Sequence, residues 1–152
     1  MLARSADGVD VCLTVTLLDG LVLARAAFSH SMNYRSVVVL GRALEVTDPE
    51  EKMEAFRALV DHVCEGRWED ARPPDPNELR STRVLKLSLD ELSTKVRTGG
   101  PKDKETDLGL PVWAGEVPLR IQPQPAVPHQ GLAPGTPVPG YATRYTRSGW
   151  TP

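Results

Sequence analysis

Aromatic residues make up only 5% of this sequence, and cysteine occurs just twice, as Cys12 and Cys64. With no CxxC pair and no dense cysteine spacing, the pattern supports neither a disulfide framework nor a zinc site. Two free thiols suit a reducing compartment, so a cytoplasmic location is expected. Long apolar runs are missing as well. None approaches the roughly 20 residues of a membrane span, and the first residues show no secretory h-region. A basic excess is also lacking: 18 Lys and Arg against 20 Asp and Glu leave a formal net charge of -2. General binding to nucleic acid or to an anionic membrane surface therefore has no electrostatic footprint.

The usual catalytic signatures are absent too. The histidines, at 30, 62 and 129, are scattered, and no HExxH or similar metal-ligand spacing occurs. No P-loop, GxGxxG or GxSxG elbow can be found, which lowers the case for an NTPase, a dinucleotide-binding domain or a serine hydrolase.

What is there is a strand pattern. Residues 8–18 alternate, with Val9, Val11, Leu13, Val15 and Leu17 on one side and Asp10, Cys12, Thr14 and Thr16 on the other. Such period-2 alternation is that of a half-buried strand. Asp19-Gly20 follows, then Leu21-Val22-Leu23-Ala24, which predicts a hairpin with a type I' turn at Asp19-Gly20. Residues 34–44 form a further strand, whose Val37–Leu40 run suits cover on both faces. The polar stretch from Phe28 to Asn33 is a connection or an irregular strand.

Helix signals come next. Asp48 is an N-cap, Pro49 sits at the first helical position and Glu51 is placed for a capping box. Met53, Phe56, Val60 and Val63 recur at helical spacing and are expected to be core. Asp75-Pro76-Asn77-Glu78 opens a second, short helix by the same logic. Residues 83–89 alternate again through Leu85, Leu87 and Leu89. The loop 99–107, with Asp103, Glu105 and Asp107, is expected to be solvated. Residues 111–121 form a last strand, in which Pro118 suggests an edge or a bulge. Beyond Gln122 stand seven prolines, at 123, 125, 128, 134, 137, 139 and 152. That composition predicts an extended or disordered tail over 123–152, after one domain over 1–122. The order strand, strand, strand, helix, helix, strand, strand is not βαβ alternation. It predicts a mainly β, α+β domain: an antiparallel sheet with a helical insertion.

Two runs, HSMNYRSVVVLGRA (residues 30–43) and PVWAG (residues 111–115), resemble the flavin-nucleotide-binding relatives of pyridoxamine phosphate oxidase. That group is itself similar to nitroimidazole reductases. The resemblance spans roughly residues 1–122. It implies an antiparallel FMN-binding split barrel, a homodimer with FMN between subunits, and flavin-dependent oxidoreductase activity on an unknown substrate. Family members carry additional strands ahead of the point where this sequence starts, so the barrel is expected to be incomplete at the N-terminus. Residues 1–7 would then be the end of a helix, the outer edge of the first strand would lie open, and FMN binding by residues 1–152 alone would be weak.

The resemblance points to Ser36, its neighbour Arg35 and Trp113, and residue type and spacing add further candidates. Arg35 could pair with the flavin phosphate and Ser36 could hydrogen-bond the ring edge; otherwise they are a surface Arg and a small strand residue. Asn33 and Tyr34 flank them as flavin contacts or as caps of the preceding turn. His30 could touch flavin or substrate, or be structural. Lys95 and Arg97, two apart on an extended stretch, form an anion site or a solvated basic edge. Trp113 closes the pocket or fills the core. A non-catalytic flavin binder or dimeric interaction protein is the alternative, and an adaptor using its Pro-rich tail is a third reading.

Overall fold

The computed structural model describes residues 8–146, and the expected helix end at residues 1–7 lies outside them. The chain forms two compact units, Met1–Ala43 with Leu87–Ile121, and Leu44–Lys86 with Gln122–Pro152.

In the first unit, strand β1 (Val9–Leu23) pairs antiparallel with most of β2 (Ser31–Glu45). β2 also pairs with β4 (Glu91–Arg97), from Tyr34↔Arg97 to Leu40↔Glu91. β5 (Gly115–Pro118) adds to the far side of β1, but only along Gly20–Leu23. The outer edge of Val9–Leu18 therefore has no strand partner among the described residues, and the sheet is not closed. Mainly β structure in an antiparallel sheet with helices is what the alternation predicts. Pro118 ends the terminal strand β5, where its missing N–H interrupts no central ladder.

The Asp19-Gly20 hairpin does not form. β1 runs straight through, and a bulge between Leu18↔Tyr34 and Gly20↔Asn33 leaves Asp19 as the extra residue. Gly20 is not among the glycines with positive φ, so it lacks the conformation a type I' turn needs. Its glycine serves a different end: a Cβ there would lie 3.1 Å from the Val117 carbonyl oxygen, so β5 can approach only because none is present. Tertiary pairing with β2 and β5 overrides the local turn preference. The reversal comes later, at a 3-10 turn over Ala27–Ser29. After the bulge, Val22 and Ala24 are buried, as are Val39 and Ala43 on β2.

In the second unit, helix α1 (Pro49–Val63) begins as expected: the Asp48 carboxylate accepts from Glu50 N and Glu51 N at 2.7 and 2.9 Å. The apolar stripe is not core, however. Met53, Phe56 and Val60 are half-buried and Val63 is exposed. A short α2 (Arg67–Asp70) follows. Helix α3 (Pro76–Ser81) carries a full capping box between Asp75 and Glu78. Strand β3 is only Leu85–Lys86, paired with Leu44–Glu45. The alternation over 83–89 overstates it: the strand pairing covers two residues, and beside it the Val84 carbonyl accepts from Val46 N at 2.9 Å. The proline-rich segment folds onto the helices of this unit and includes α4 (Gly140–Thr143). Tyr145 Oη donates to the Val63 carbonyl at 2.9 Å.

Candidate functional site

Because facing residues of an antiparallel pair point the same way, the registers sort the first unit's sheet into two faces. One carries the rows Thr14–Val38–Ser93, Thr16–Ser36–Lys95 and Leu18–Tyr34–Arg97 across β1, β2 and β4. The other carries Leu13–Val39–Leu92, Val15–Val37–Thr94 and Leu17–Arg35–Val96. The first face is rich in hydroxyls and cations. The second is apolar and largely uncovered, with Leu13, Val15, Leu92 and Val96 between 49% and 64% exposed.

At the centre of the hydroxyl face the Thr16 and Ser36 hydroxyls share a hydrogen bond of 2.8 Å. Lys95 lies directly opposite Ser36 on β4 and is exposed. No ion pair among the described residues engages its ammonium. A cation beside two hydroxyls, each able to donate and accept, suits an anionic ester or the polar edge of a heteroaromatic ring. Tyr34 sits half-buried in the next row.

The other predicted residues are placed differently. Arg35 is on the apolar face, and its guanidinium grips Asp19 through Nε and Nη2 at 3.0 and 2.8 Å. That bond, with the accompanying charge attraction, holds the Asp19 carboxyl below the usual carboxylate range. Asn33 is buried, donates from Nδ2 to Glu116 at 2.6 Å and accepts from Arg97. Arg97 also donates to the carbonyls of Gly99 and Gly100 at 3.0 and 3.2 Å. Its guanidinium thus anchors the loop after β4. His30 is exposed, with Nδ1 3.1 Å from the Ala26 carbonyl oxygen. Only a protonated Nδ1 can donate to that carbonyl, which leaves the Nε2 lone pair outward. Trp113 is 66% exposed and lays its ring over Gly115, where a Cβ would meet Cζ2 at 2.9 Å. It is therefore not a core residue of this unit.

Two residues escaped the sequence reading. Thr16 is on the polar side of the β1 alternation, but only the register reveals Ser36 and Lys95 in its row. Asp103 is not solvated as the loop composition suggests: its side chain is 2% exposed and accepts from Arg25 N at 2.9 Å and Arg25 Nη1 at 2.7 Å. Burial raises its pKa, and the hydrogen bonds and charge of Arg25 outweigh that and leave the carboxyl below its ordinary range. Among the described residues no His, Cys, Asp and Glu cluster could hold a metal ion, and no helix is long and apolar enough to cross a membrane.

Comparison with known proteins bears on this arrangement. The family model for pyridoxamine 5'-phosphate oxidase matches residues 1–96. The solved flavocytochrome Anf3 from Azotobacter vinelandii is 44% identical, with a TM-score of 0.83 over 90% of this chain. The FAD and heme binding protein from Mycobacterium smegmatis is 34% identical, with a TM-score of 0.82 over 90% of this chain. This chain spans 64% of the former's length and 67% of the latter's. No match is found among curated proteins.

Proposed function

Because this chain belongs to the pyridoxamine 5'-phosphate oxidase family, we propose that it binds a flavin nucleotide on the hydroxyl face of its sheet and acts as a flavin-dependent oxidoreductase. The observation that carries this reading is the Thr16–Ser36–Lys95 row, with its 2.8 Å hydroxyl pair and adjacent free cation. Lys95 would neutralise phosphate, while Ser36 and Thr16 would hydrogen-bond the phosphate or the ring edge. Tyr34 would lie against the bound molecule. Asp19–Arg35 and Asn33–Glu116 would set the strand geometry beneath the site rather than touch the cofactor. His30 and Trp113 border the same segments of chain. When bound, a flavin supplies hydride and electron transfer, and the protein supplies binding, orientation and exclusion of water.

FMN is the flavin that the resemblance implies, and FAD, which contains the same phosphoribityl ring system, is its competitor. The uncovered apolar face suits a homodimer, since the exposed Leu13, Val15, Leu92 and Val96 would be covered by a second copy. Purified protein is expected to be yellow, and mass analysis of heat-released chromophore separates FMN from FAD. Light scattering reports the dimer. A colourless protein that takes up neither flavin would end this reading and favour a non-catalytic interaction protein.

A second reading, that a heme is carried as well, is favoured by His30. Its Nδ1 bond to the Ala26 carbonyl is the arrangement that orients a histidine for metal ligation through Nε2. Reconstitution with hemin should give a Soret band that His30→Ala removes. Equal Soret intensity in the variant would remove His30 from that role.

A further inference from the structure

The proline-rich segment, whose composition predicts only a tail, instead builds one side of a cavity within the second unit. The cavity measures about 560 Å³, within the range of small-molecule sites. Its lining mixes apolar and polar residues. Val127, Leu132 and Val138 contribute apolar surface, framed by Pro128, Pro137 and Pro139. Arg67, Asp70, His129 and Tyr141 contribute the polar part. None of these residues belongs to the sheet that carries the proposed flavin site.

The polar side chains are held in place. Arg67 Nη1 donates to Tyr141 Oη at 2.8 Å, and its guanidinium carbon stands 5.9 Å from the centre of the Tyr141 ring. That contact ties α2 to α4 and leaves further N–H donors on the guanidinium fork. His129 Nδ1 accepts from Gly131 N at 3.0 Å, so in the neutral ring the proton sits on Nε2 and the side chain is a donor. Prolines fix φ along the apolar wall, so the wall loses little chain freedom when a ligand settles on it.

We infer that this cleft binds a small aromatic monocarboxylate, its ring against Val127, Leu132 and Val138 and its carboxylate on Arg67 and His129. Arg67 stands in the field of Asp70 and donates to Tyr141, and the N–H donors left on its fork suit one carboxylate, while Asp70 in the same wall disfavours a doubly charged phosphate. The planar fork of Arg67 matches a carboxylate.

The test is calorimetric titration of the full chain with 2-naphthoate, 2-naphthamide and 2-naphthyl phosphate. The carboxylate should bind about tenfold tighter than the amide, the ratio that one charge-assisted hydrogen bond supplies, and tighter than the phosphate. Arg67→Gln should abolish the preference for carboxylate over amide, with the larger loss of affinity falling on the carboxylate. Arg67 is exposed, so this variant is expected to keep the fold. On the unaltered chain, naphthoate should shift the amide resonances of Gly131 and Gly135. Equal binding of acid and amide, a preference that survives Arg67→Gln, or unmoved glycine resonances would each overturn the proposal. None of these outcomes depends on whether flavin is bound.

Discussion

Arg35 and Asp19 are joined across β2 and β1 by two hydrogen bonds, at 3.0 and 2.8 Å, and Asp19 is the residue that the bulge leaves unpaired in the ladder. A side chain that the motif suggests as a phosphate ligand is thus occupied in holding a strand irregularity in place. Asp19→Asn and Arg35→Gln should each lower the melting temperature modestly, since both side chains are partly exposed. The double variant should be little worse than either single one. The depressed Asp19 pKa means that this contribution is present above the ordinary carboxyl range and disappears as pH falls. Additive losses in the double variant would show that the two residues are not coupled.

Lys95→Ala should weaken flavin binding by about tenfold or more, as expected for the loss of a charge-assisted bond to phosphate. Arg35→Ala should change it by no more than a few-fold. Fluorescence titration with FMN of both variants checks the order. The reverse order would place the phosphate on the Asp19–Arg35 side of the sheet.

Gly20→Val should detach β5 from β1, because its side chain would occupy the space taken by the Val117 carbonyl. A cost of about 1–3 kcal/mol is expected in urea unfolding. Hydrogen exchange should quicken at Val117 and Leu119, the latter bonded to the Asp19 carbonyl at 3.0 Å. Unchanged exchange at both amides would contradict the close approach.

Asp103→Ala should lower the melting temperature more than Asp107→Ala does. The first removes the acceptor of two Arg25 hydrogen bonds in a covered position, whereas Asp107 has no comparable cross-chain partner among the described residues. Thermal unfolding of both variants decides it, and equal shifts would restore the view of a solvated loop.

Helix α3 should be acid-sensitive in a defined window. Glu78 is lowered to about 2 by its bond from Arg72 and by the Asp75 backbone N–H. An unperturbed glutamate carboxyl titrates at 4.5, so the contribution of Glu78 is complete above that pH and is lost as pH falls toward 2. Amide exchange at Leu79 and Thr82 should accelerate through this range, and Glu78→Gln should remove the dependence. Exchange rates that follow only the intrinsic pH dependence would argue against the capping box as its source.

Sequence alone determined the features whose causes lie within a few residues. Asp48-Pro49 and Asp75-Pro76 start helices because an N-cap carboxylate meets N–H groups two and three positions on. The alternation of residues 9–17 sorts polar from apolar side chains because strand geometry repeats every two residues. The HSMNYRSVVVLGRA run carried the family resemblance for its own length. Tertiary structure alone decided the rest. Asp19-Gly20 became a bulge rather than a turn because β2 and β5, distant in sequence, supply a longer ladder than a local hairpin could. Asp103 became buried because Arg25 reaches it across 78 positions. The row Thr16–Ser36–Lys95 exists only at one register, and a slip of a single residue would send these side chains to opposite faces. The spacing of residues on one strand carries no information about that register, which is set by packing between strands.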